Sequence, residues 1–565
     1  MSFPALDDLI AAHGGVAFSL GLDRPGAAHT DGGSVIRPLR RGSAELRSAP
    51  VRLTLSSSDV RRGDLFAALR GLRADGLQYV PDALARGASA VLVPADRPLL
   101  GLRERCVAAL GRSGGLPESA GPGVAWVHPA PRRTAGRAAS TLAGDPSGTL
   151  RLAAVTGTNG KTSVCHLTHG LLVRSSIAAG LLGTSGHRIL GPRGPLSLGA
   201  THTTPDAPAL QDLFGRHRAG GGTSLVFEAS SHALDQERLA GTQLAAAGFT
   251  NLSRDHLDYH GTLRRYLAAK ARLWDHLVPG GVAVVHGSDA ASDEMAARAA
   301  AVGARVVRAR VDADADLVAA DLARTEDGTS FRLEGLGGGA RRVAIPLAGR
   351  FNVENTLVAI GLARALGATD DAIAQALEVL TPPPGRLERV LGRSGGPDVY
   401  VDYAHTPDAL VRALGTLREE LDARGAARFG AAASRSARGR ILCVFGCGGD
   451  RDRGKRFPMG EAAGRLADVS IVTSDNPRSE DPGDIAHEVV LGVDAVGGRR
   501  LVETDRRRAI ERALDLARPG DVVLVAGKGH ENTQVGPQGA VPFDDRVVAV
   551  EALRGRATAR RGATR

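Results

Sequence analysis

The chain is expected to be an α/β protein of several domains. Three observations predict this: its length, a repeated succession of strand-like and helical apolar runs, and Gly/Pro-rich breaks that interrupt the succession. At 565 residues the chain exceeds what one hydrophobic core usually serves, and length alone argues for roughly two to four domains. Apolar residues make up 43% and charged residues 23%, a balance that supplies ample core material. No apolar run reaches the length of about 18 residues that spans a bilayer. Residues 1–20 carry Asp7 and Asp8 where a secretion signal would carry basic residues before an apolar stretch, so a cytoplasmic protein with no membrane partner is expected.

Residues 1–50, rich in Gly, Ala and Arg with little periodicity, read as a loosely ordered leader. Strand-like segments at 51–55, 64–69 and 90–93 and a helical stretch near 81–86 make 51–147 a small α/β domain. Glycine-, proline- and serine-rich loops at 111–123 and 144–148 place its end near 148. The central region, 148–384, runs strand (152–155), Gly-rich loop, helix, strand (224–228), strand (246–251) and helix (263–277). Such alternation predicts a mostly parallel sheet covered on both faces. Thr381-Pro-Pro-Pro-Gly385 cannot continue a helix and marks the next boundary. Residues 385–565 repeat the rhythm, with apolar strands at 440–445, 469–473 and 521–526. Within them 423–439 is low-complexity Ala/Arg/Ser and reads as an exposed insertion.

Composition excludes several function classes. Cys106, Cys165, Cys443 and Cys447 are too few and too scattered for a disulfide framework. Cys443 lies inside an apolar run, so the 443/447 pair reads as buried small hydrophobes and not as metal ligands. A net charge of +10 invites a nucleic-acid partner, but the arginines are spread along the whole chain and aromatics are only 3%, leaving few stacking platforms. No nucleic-acid partner is expected. Of 71 basic residues only four are lysines, Lys161, Lys270, Lys455 and Lys528. A lysine retained against such a bias marks a position where a compact amine is needed and a permanently charged fork cannot serve.

The strongest motif is Leu152-Ala-Ala-Val-Thr-Gly-Thr-Asn-Gly-Lys-Thr-Ser163, an apolar strand that turns through glycines into a helix. Backbone N–H groups in such a turn, with a helix N-terminus behind them, attract phosphate. Thr156, Gly157, Thr158, Asn159, Gly160, Lys161 and Thr162 are therefore assigned to ATP, with Lys161 on the β/γ-phosphates and the Thr162 hydroxyl on Mg²⁺. The usual first glycine is absent, since position 155 is Val, which favours a subclass distinct from common GTPase and kinase loops. Glu228 ends a second apolar strand, where ligands of open α/β sheets collect, and is placed to share the Mg²⁺. His256, in the loop 249–261, is a candidate second-metal ligand, and Lys270 shares a helical face with Tyr266.

Taken with Gly349-Arg-Phe-Asn-Val-Glu-Asn355, Gly385-Arg-Leu-Glu388, Asp402-Tyr-Ala-His-Thr-Pro-Asp408 and Gly446-Cys-Gly-Gly-Asp-Arg-Asp452, these motifs resemble those of the Mur ligases of peptidoglycan synthesis, in family order from about residue 51 to 551. The resemblance implies a central P-loop-type domain flanked by a small N-terminal α/β domain for the uridine nucleotide and a Rossmann-like C-terminal α/β domain for the incoming amino acid. It implies a monomeric amide ligase acting through an acyl phosphate and adding diaminopimelate to a UDP-N-acetylmuramoyl dipeptide. Thr203, Thr204, Ser230, Gln236 and Arg238 match positions that hold the dipeptide substrate. Lys270 matches a lysine that the family carbamylates, which would turn a cation into an anionic metal ligand. Asn355, Arg386 and Asp402 match nucleotide contacts.

The motif Asp475-Asn-Pro-Arg478 accompanies diaminopimelate in the family, whereas lysine-adding members lack the arginine. The chemistry agrees, because a guanidinium fork recognises the distal carboxylate that distinguishes diaminopimelate from lysine. Asp475, Asn476, Pro477 and Arg478, together with Arg451, Gly527 and Glu531, are the implied amino-acid pocket. A lysine-adding relative or a folylpolyglutamate synthetase is the nearest alternative, and a basic nucleic-acid-binding ATPase is the alternative from another class.

Overall fold

The computed structural model describes residues 4–20, 22, 36–47, 49–71, 74–111, 123–200, 202–325, 328–390, 396–429 and 439–562. Three sheets carry the architecture. The first has six strands in the order Arg37–Pro38, Val16–Ser19, Val124–His128, Ala90–Pro94, Leu65–Ala67 and Leu53–Thr54. Its last four strands are parallel, and Val16–Ser19 runs antiparallel to Val124–His128.

This arrangement corrects the reading of residues 1–50 as a loose leader. The helix Leu6–His13 buries Leu6 and Leu9 in the same core as Trp126 and Ala135. Gly14 and Gly15 then turn the chain sharply over the Trp126 indole, whose N–H donates to Gly14 O at 2.9 Å. Gly15 has φ +97°, and a Cβ there would stand 2.6 Å from the indole nitrogen, so only glycine fits. The pairing partner lies more than a hundred residues away, which is why local periodicity gave no sign of it.

The central sheet places seven parallel strands side by side: Ala179–Gly183, Ser224–Glu228, Arg151–Thr156, Leu244–Phe249, Leu277–His286, Arg305–Val311 and Leu317–Arg324. Antiparallel hairpins extend both edges. Alternate residues of Arg151–Thr156 feed opposite cores. Ala153 and Val155 pack against the helices Lys161–Arg174 and Arg350–Ala365, and Leu152 and Ala154 pack on the other face with Leu210, Phe214 and Trp274. The strand is thereby locked between two apolar layers, and its carboxyl end becomes a fixed platform. The expected helix 263–277 ends earlier, at Ala271, and continues as a 3₁₀ turn, Arg272–His276, into the strand that begins at Leu277.

The third sheet runs Glu388–Val390, Asp398–Asp402, Val522–Ala526, Ile441–Phe445, Val469–Val472 and Arg500–Val502, parallel except at its first strand. The segment 423–439, expected as an exposed insertion, begins inside a helix. The helix Pro407–Phe429 runs into it, and Arg424 is ion-paired with Asp398 and Glu420. Residues 430–438, like 112–122 of the expected first loop, lie outside the described residues. The four cysteines are buried and free. Among the described residues no helix is long and apolar enough to cross a membrane.

Candidate active site

The loop after Arg151–Thr156 is fitted around two glycines. Gly157 has φ +147° and a Cβ there would lie 1.9 Å from Thr250 Oγ1, while one on Gly160, φ +87°, would lie 2.3 Å from Asn355 Oδ1. The loop is laced to residues 250–253: Thr158 N–H donates to Asn251 O at 2.9 Å, Asn159 N–H to Asn251 Oδ1 at 3.0 Å, and the Thr250 hydroxyl to Asn159 O at 2.6 Å. Lys161 opens the following helix, and its Nζ donates to Gly157 O and Thr158 O, both at 2.9 Å. Burial lowers its pKa. Lys161 is therefore folded back on the loop, a ready partner for an anion that would draw it away.

Glu228, at the carboxyl end of its strand, is buried. Its carboxylate accepts from Thr162 Oγ1 at 3.0 Å, from Thr184 N–H at 2.7 Å and from Thr184 Oγ1 at 3.2 Å, and its carbonyl accepts from Thr204 Oγ1 at 2.8 Å. Arg386 reaches in from the C-terminal region, donating to Thr162 Oγ1 at 2.9 Å with its guanidinium stacked on Tyr403. Among the described residues Glu228 makes no ion pair within 4.0 Å, and no ready-made cage of three His, Cys, Asp or Glu exists. A buried carboxylate beside a hydroxyl at a phosphate loop suits Mg²⁺, which takes one or two protein oxygens and completes its shell with phosphate and water.

Lys270 approaches the same loop from the helix Leu263–Ala271. Its Nζ donates to Gly157 O at 2.8 Å and sits 4.0 Å from the centroid of the Tyr266 ring. It is 1% exposed and has no ion pair among the described residues. Burial, reinforced by the Lys161 charge, holds its pKa well below the ordinary lysine value. His256, with φ +53°, lies against this cluster, its ring centroid 4.8 Å from that of His232 and 6.2 Å from that of Tyr266. Burial brings its pKa down to about 4, with Asp255 opposing.

On the N-terminal side, Ser230 caps the short helix Ser231–Asp235, and its N–H donates to Thr204 Oγ1 at 3.0 Å. Arg238 donates to Thr204 O at 2.8 Å and is forked onto Gln236 Oε1 at 3.2 and 2.9 Å. Thr203 Oγ1 lies 3.2 Å from Thr184 Oγ1. Gln236 and Arg238 line a cleft with Leu55, Leu69 and Arg132 of the first domain. Through Leu69 and Arg132 it adjoins a larger cleft of about 580 Å³ that includes Arg70, Asp75 and Arg97.

The C-terminal motifs form a second centre. Asp402 accepts from Leu387 N–H at 2.5 Å and Ala404 N–H at 2.8 Å, and burial raises its pKa. Asn476 is clamped: its Oδ1 accepts from Val535 N–H at 2.9 Å and Lys528 Nζ at 3.1 Å, and its Nδ2 donates to Glu531 Oε2 at 2.9 Å. Arg478 adopts φ +54° and its Nη1 donates to Gly449 O at 2.7 Å. A Cβ on Gly448 would touch both Arg478 Nη1, at 2.9 Å, and Arg451 Cγ, at 3.8 Å, so Arg451 borders the same spot. Pro477 O crowds Gly449 in the same way, at 1.9 Å. Gly527 N–H donates to Asp402 O at 3.0 Å, and a Cβ there would meet the Asp475 carboxylate at 3.6 Å. The pocket residues converge, while Asn355 and the phosphate loop belong to the other centre.

Sequence reasoning gave no role to Thr184, His530 or Asp408, which join the two centres. Thr184 holds Glu228 by both its N–H and its hydroxyl. His530 Nε2 lies 3.2 Å from Thr184 O. Asn159 Nδ2 donates to Asp408 Oδ2 at 2.9 Å, tying the phosphate loop to the helix that begins at Pro407. The available signals were the position of Thr184 at the end of the apolar run 179–183 and the Gly-Lys-Gly-His-Glu string that carries His530.

Comparison with known proteins places these motifs. Three family models match: the Mur ligase family catalytic domain over residues 52–123, the Mur ligase middle domain over 155–363, and the Mur ligase glutamate ligase domain over 385–529. The UDP-N-acetylmuramoyl-L-alanyl-D-glutamate--2,6-diaminopimelate ligase of Synechococcus sp. (strain WH7803) is 42% identical over 510 residues, 89% of this chain and 94% of that one. The protein of the same name from Rhizobium meliloti (strain 1021) is 41% identical with the same coverages. A solved structure of a ligase of that name superposes with a TM-score of 0.61 at 35% identity, covering 92% of this chain and 98% of the other.

Proposed function

Because the chain belongs to the Mur ligase family, we propose that it is the ATP-dependent ligase that joins diaminopimelate to UDP-N-acetylmuramoyl-L-alanyl-D-glutamate, acting as a cytoplasmic monomer. The observation that carries the reading is the contact between the two centres: Arg386 on Thr162 and His530 on Thr184 bring the phosphate loop and the Asp475–Arg478 motif to one junction.

ATP phosphates are cradled by the loop Thr156–Thr162, through the N–H groups that Asn251 does not already engage and through Lys161, with Asn355, Arg386 and Asp402 on the rest of the nucleotide. The Glu228 carboxylate and Thr162 hydroxyl would hold Mg²⁺, with His256 and a carbamylated Lys270 at a second position, and the metal would supply positive charge against the transferring phosphoryl. The uridine end of the other substrate occupies the cleft at the N-terminal domain, and Thr203, Thr204, Ser230, Gln236 and Arg238 orient its dipeptide. Its γ-carboxylate attacks the ATP γ-phosphorus and ADP leaves, giving an acyl phosphate. An amine of diaminopimelate then attacks the acyl carbon and inorganic phosphate departs. Lys161 and the loop N–H groups stabilise the transferring phosphoryl by fixed donors that need no reorganisation.

Lys270 supports its assigned role by its surroundings. A buried amine facing a carbonyl and no carboxylate is poorly placed to stay protonated. Deprotonated, its Nζ adds to carbon dioxide with loss of one proton, and the carbamate supplies an anionic oxygen. At the far end, the Arg478 fork takes the distal carboxylate of diaminopimelate and Glu531 its distal ammonium, with Arg451, Asp475, Asn476, Pro477 and Gly527 shaping the pocket.

Phosphate release from Mg·ATP tests the reading. Turnover is expected only when the UDP-muramoyl dipeptide and diaminopimelate are both supplied. Release stimulated by DNA or RNA in their absence identifies a nucleic-acid ATPase instead, and release requiring a folate substrate identifies a folylpolyglutamate synthetase.

A further inference from the structure

His530 occupies a place that no role assigned above explains. Its Nε2 is 3.2 Å from Thr184 O, across 346 residues of sequence. A carbonyl oxygen only accepts, so Nε2 carries the hydrogen and Nδ1 carries a lone pair. That Nδ1 is buried and has no hydrogen-bond partner among the described residues, an arrangement native structures seldom tolerate without a reason. The ring is held in place. Its centroid is 5.1 Å from that of Tyr403, and the backbone before it is pinned by Gly385, where a Cβ would stand 2.2 Å from His530 N.

The neighbours on either side define the location. Thr184, which His530 touches, binds the Glu228 carboxylate and lies beside Thr203, on the side assigned to the dipeptide carboxylate. Glu531, the next residue, is bonded to Asn476 in the amino-acid pocket. His530 thus stands between the residues assigned to the acyl donor and those assigned to the amino acid.

We propose that His530 orients the attacking amine: Nε2–H anchored on Thr184 O fixes the tautomer, and Nδ1 accepts a hydrogen bond from an N–H of the incoming amino acid. This inference rests on the ligase reading given above. Burial and the nearby Arg386 charge bring the His530 pKa down to about 4, so the ring is neutral and keeps the lone pair. The imidazole aligns the nitrogen and does not retain its proton. As the C–N bond forms, the C–O bond to phosphate breaks, its electron pair leaves with the phosphate, and the surplus proton of the nitrogen passes to the departing phosphate. Misplacing a nucleophile by an ångström costs about 100-fold in rate.

Two substitutions separate orientation from mere bridging. His530→Gln preserves a donor long enough to reach Thr184 O but moves the acceptor, and His530→Asn preserves an acceptor near Nδ1 without the reach to Thr184. Acyl-phosphate formation is read by trapping with hydroxylamine in the absence of amino acid, and amide formation by product release with diaminopimelate. The expected result for His530→Gln is hydroxamate formation close to wild type with amide formation reduced about 100-fold, partly recovered in His530→Asn. Equal loss of both steps in either variant reduces His530 to a support for Glu228 and overturns the proposal, as does unchanged amide formation in His530→Gln. Wild-type enzyme inactive with both substrates contradicts the ligase reading itself, which the variants do not address.

Discussion

Lys270 and Lys528 are equally sealed from water, at 1% and 0% exposure, but their surroundings are opposite. Lys528 donates to Asn476 Oδ1 and Glu531 Oε2, both at 3.1 Å, with Asp475 3.9 Å away. Lys270 meets a single carbonyl and an aromatic face, with Lys161 as its nearest charged neighbour by effect. Burying a charge is costly unless it is paired. The lysine among carboxylates has counter-ions at hand, whereas the lysine without one in contact is driven towards its neutral amine, the form that the proposed carbamylation needs. In a chain that otherwise uses arginine almost throughout, both positions need a compact amine, for different reasons.

Substitutions at the two sites test that contrast. Lys270→Ala is expected to lower turnover about 1,000-fold, the scale of losing a charge-stabilising group at the phosphoryl centre. Short-chain carboxylic acids should restore part of it by supplying the missing anionic oxygen, measured as phosphate release with and without added acetate. Full activity in the variant would break the contrast at once. Lys528→Met should act more gently and elsewhere, raising KM for diaminopimelate about tenfold, the scale of one charged hydrogen bond, with KM for ATP unchanged and no rescue by carboxylic acids. Its pH profile sharpens the point. Burial works against ionising Glu531, but Lys528 and the Asn476 amide together hold its pKa below the ordinary glutamate value. Wild-type binding of the amino acid therefore persists to lower pH, and removing Lys528 moves the acid limb of kcat/KM towards neutral pH. An unmoved limb would show that Glu531 does not need this partner.

Much of the geometry of the candidate centre was legible because local rules specify it. Thr156–Thr162 obeys a strand-turn-helix rule in which two glycines are forced by close approach, and Glu228 sits at a strand end where ligands gather. The scarcity of lysine singled out Lys161, Lys270, Lys455 and Lys528; the structure buries Lys270 and Lys528 and half-buries Lys161 at the two centres, and puts Lys455 in the 3₁₀ turn Arg453–Lys455. What the sequence hid depends on long-range contact. The strand Val16–Ser19 is short and finds its partner in Val124–His128, so its composition resembled a leader. Thr184 is an ordinary threonine until folding brings its N–H to 2.7 Å from Glu228, 44 residues away in sequence, and His530 gains significance only from the Thr184 carbonyl. Periodicity reads which face is buried; it does not read which strand ends meet.

The central claim is that an amide is made to an amino acid carrying a second carboxylate, recognised by Arg478. Steady-state phosphate release with the UDP-muramoyl dipeptide, comparing diaminopimelate with L-lysine in the wild type and in Arg478→Ala, tests it most directly. Diaminopimelate should exceed L-lysine by about 10⁴ in kcat/KM, because a site built to pair a charged group rejects the analogue that lacks it, and Arg478→Ala should erase most of that preference. L-lysine equalling or outperforming diaminopimelate in the wild type would contradict the account.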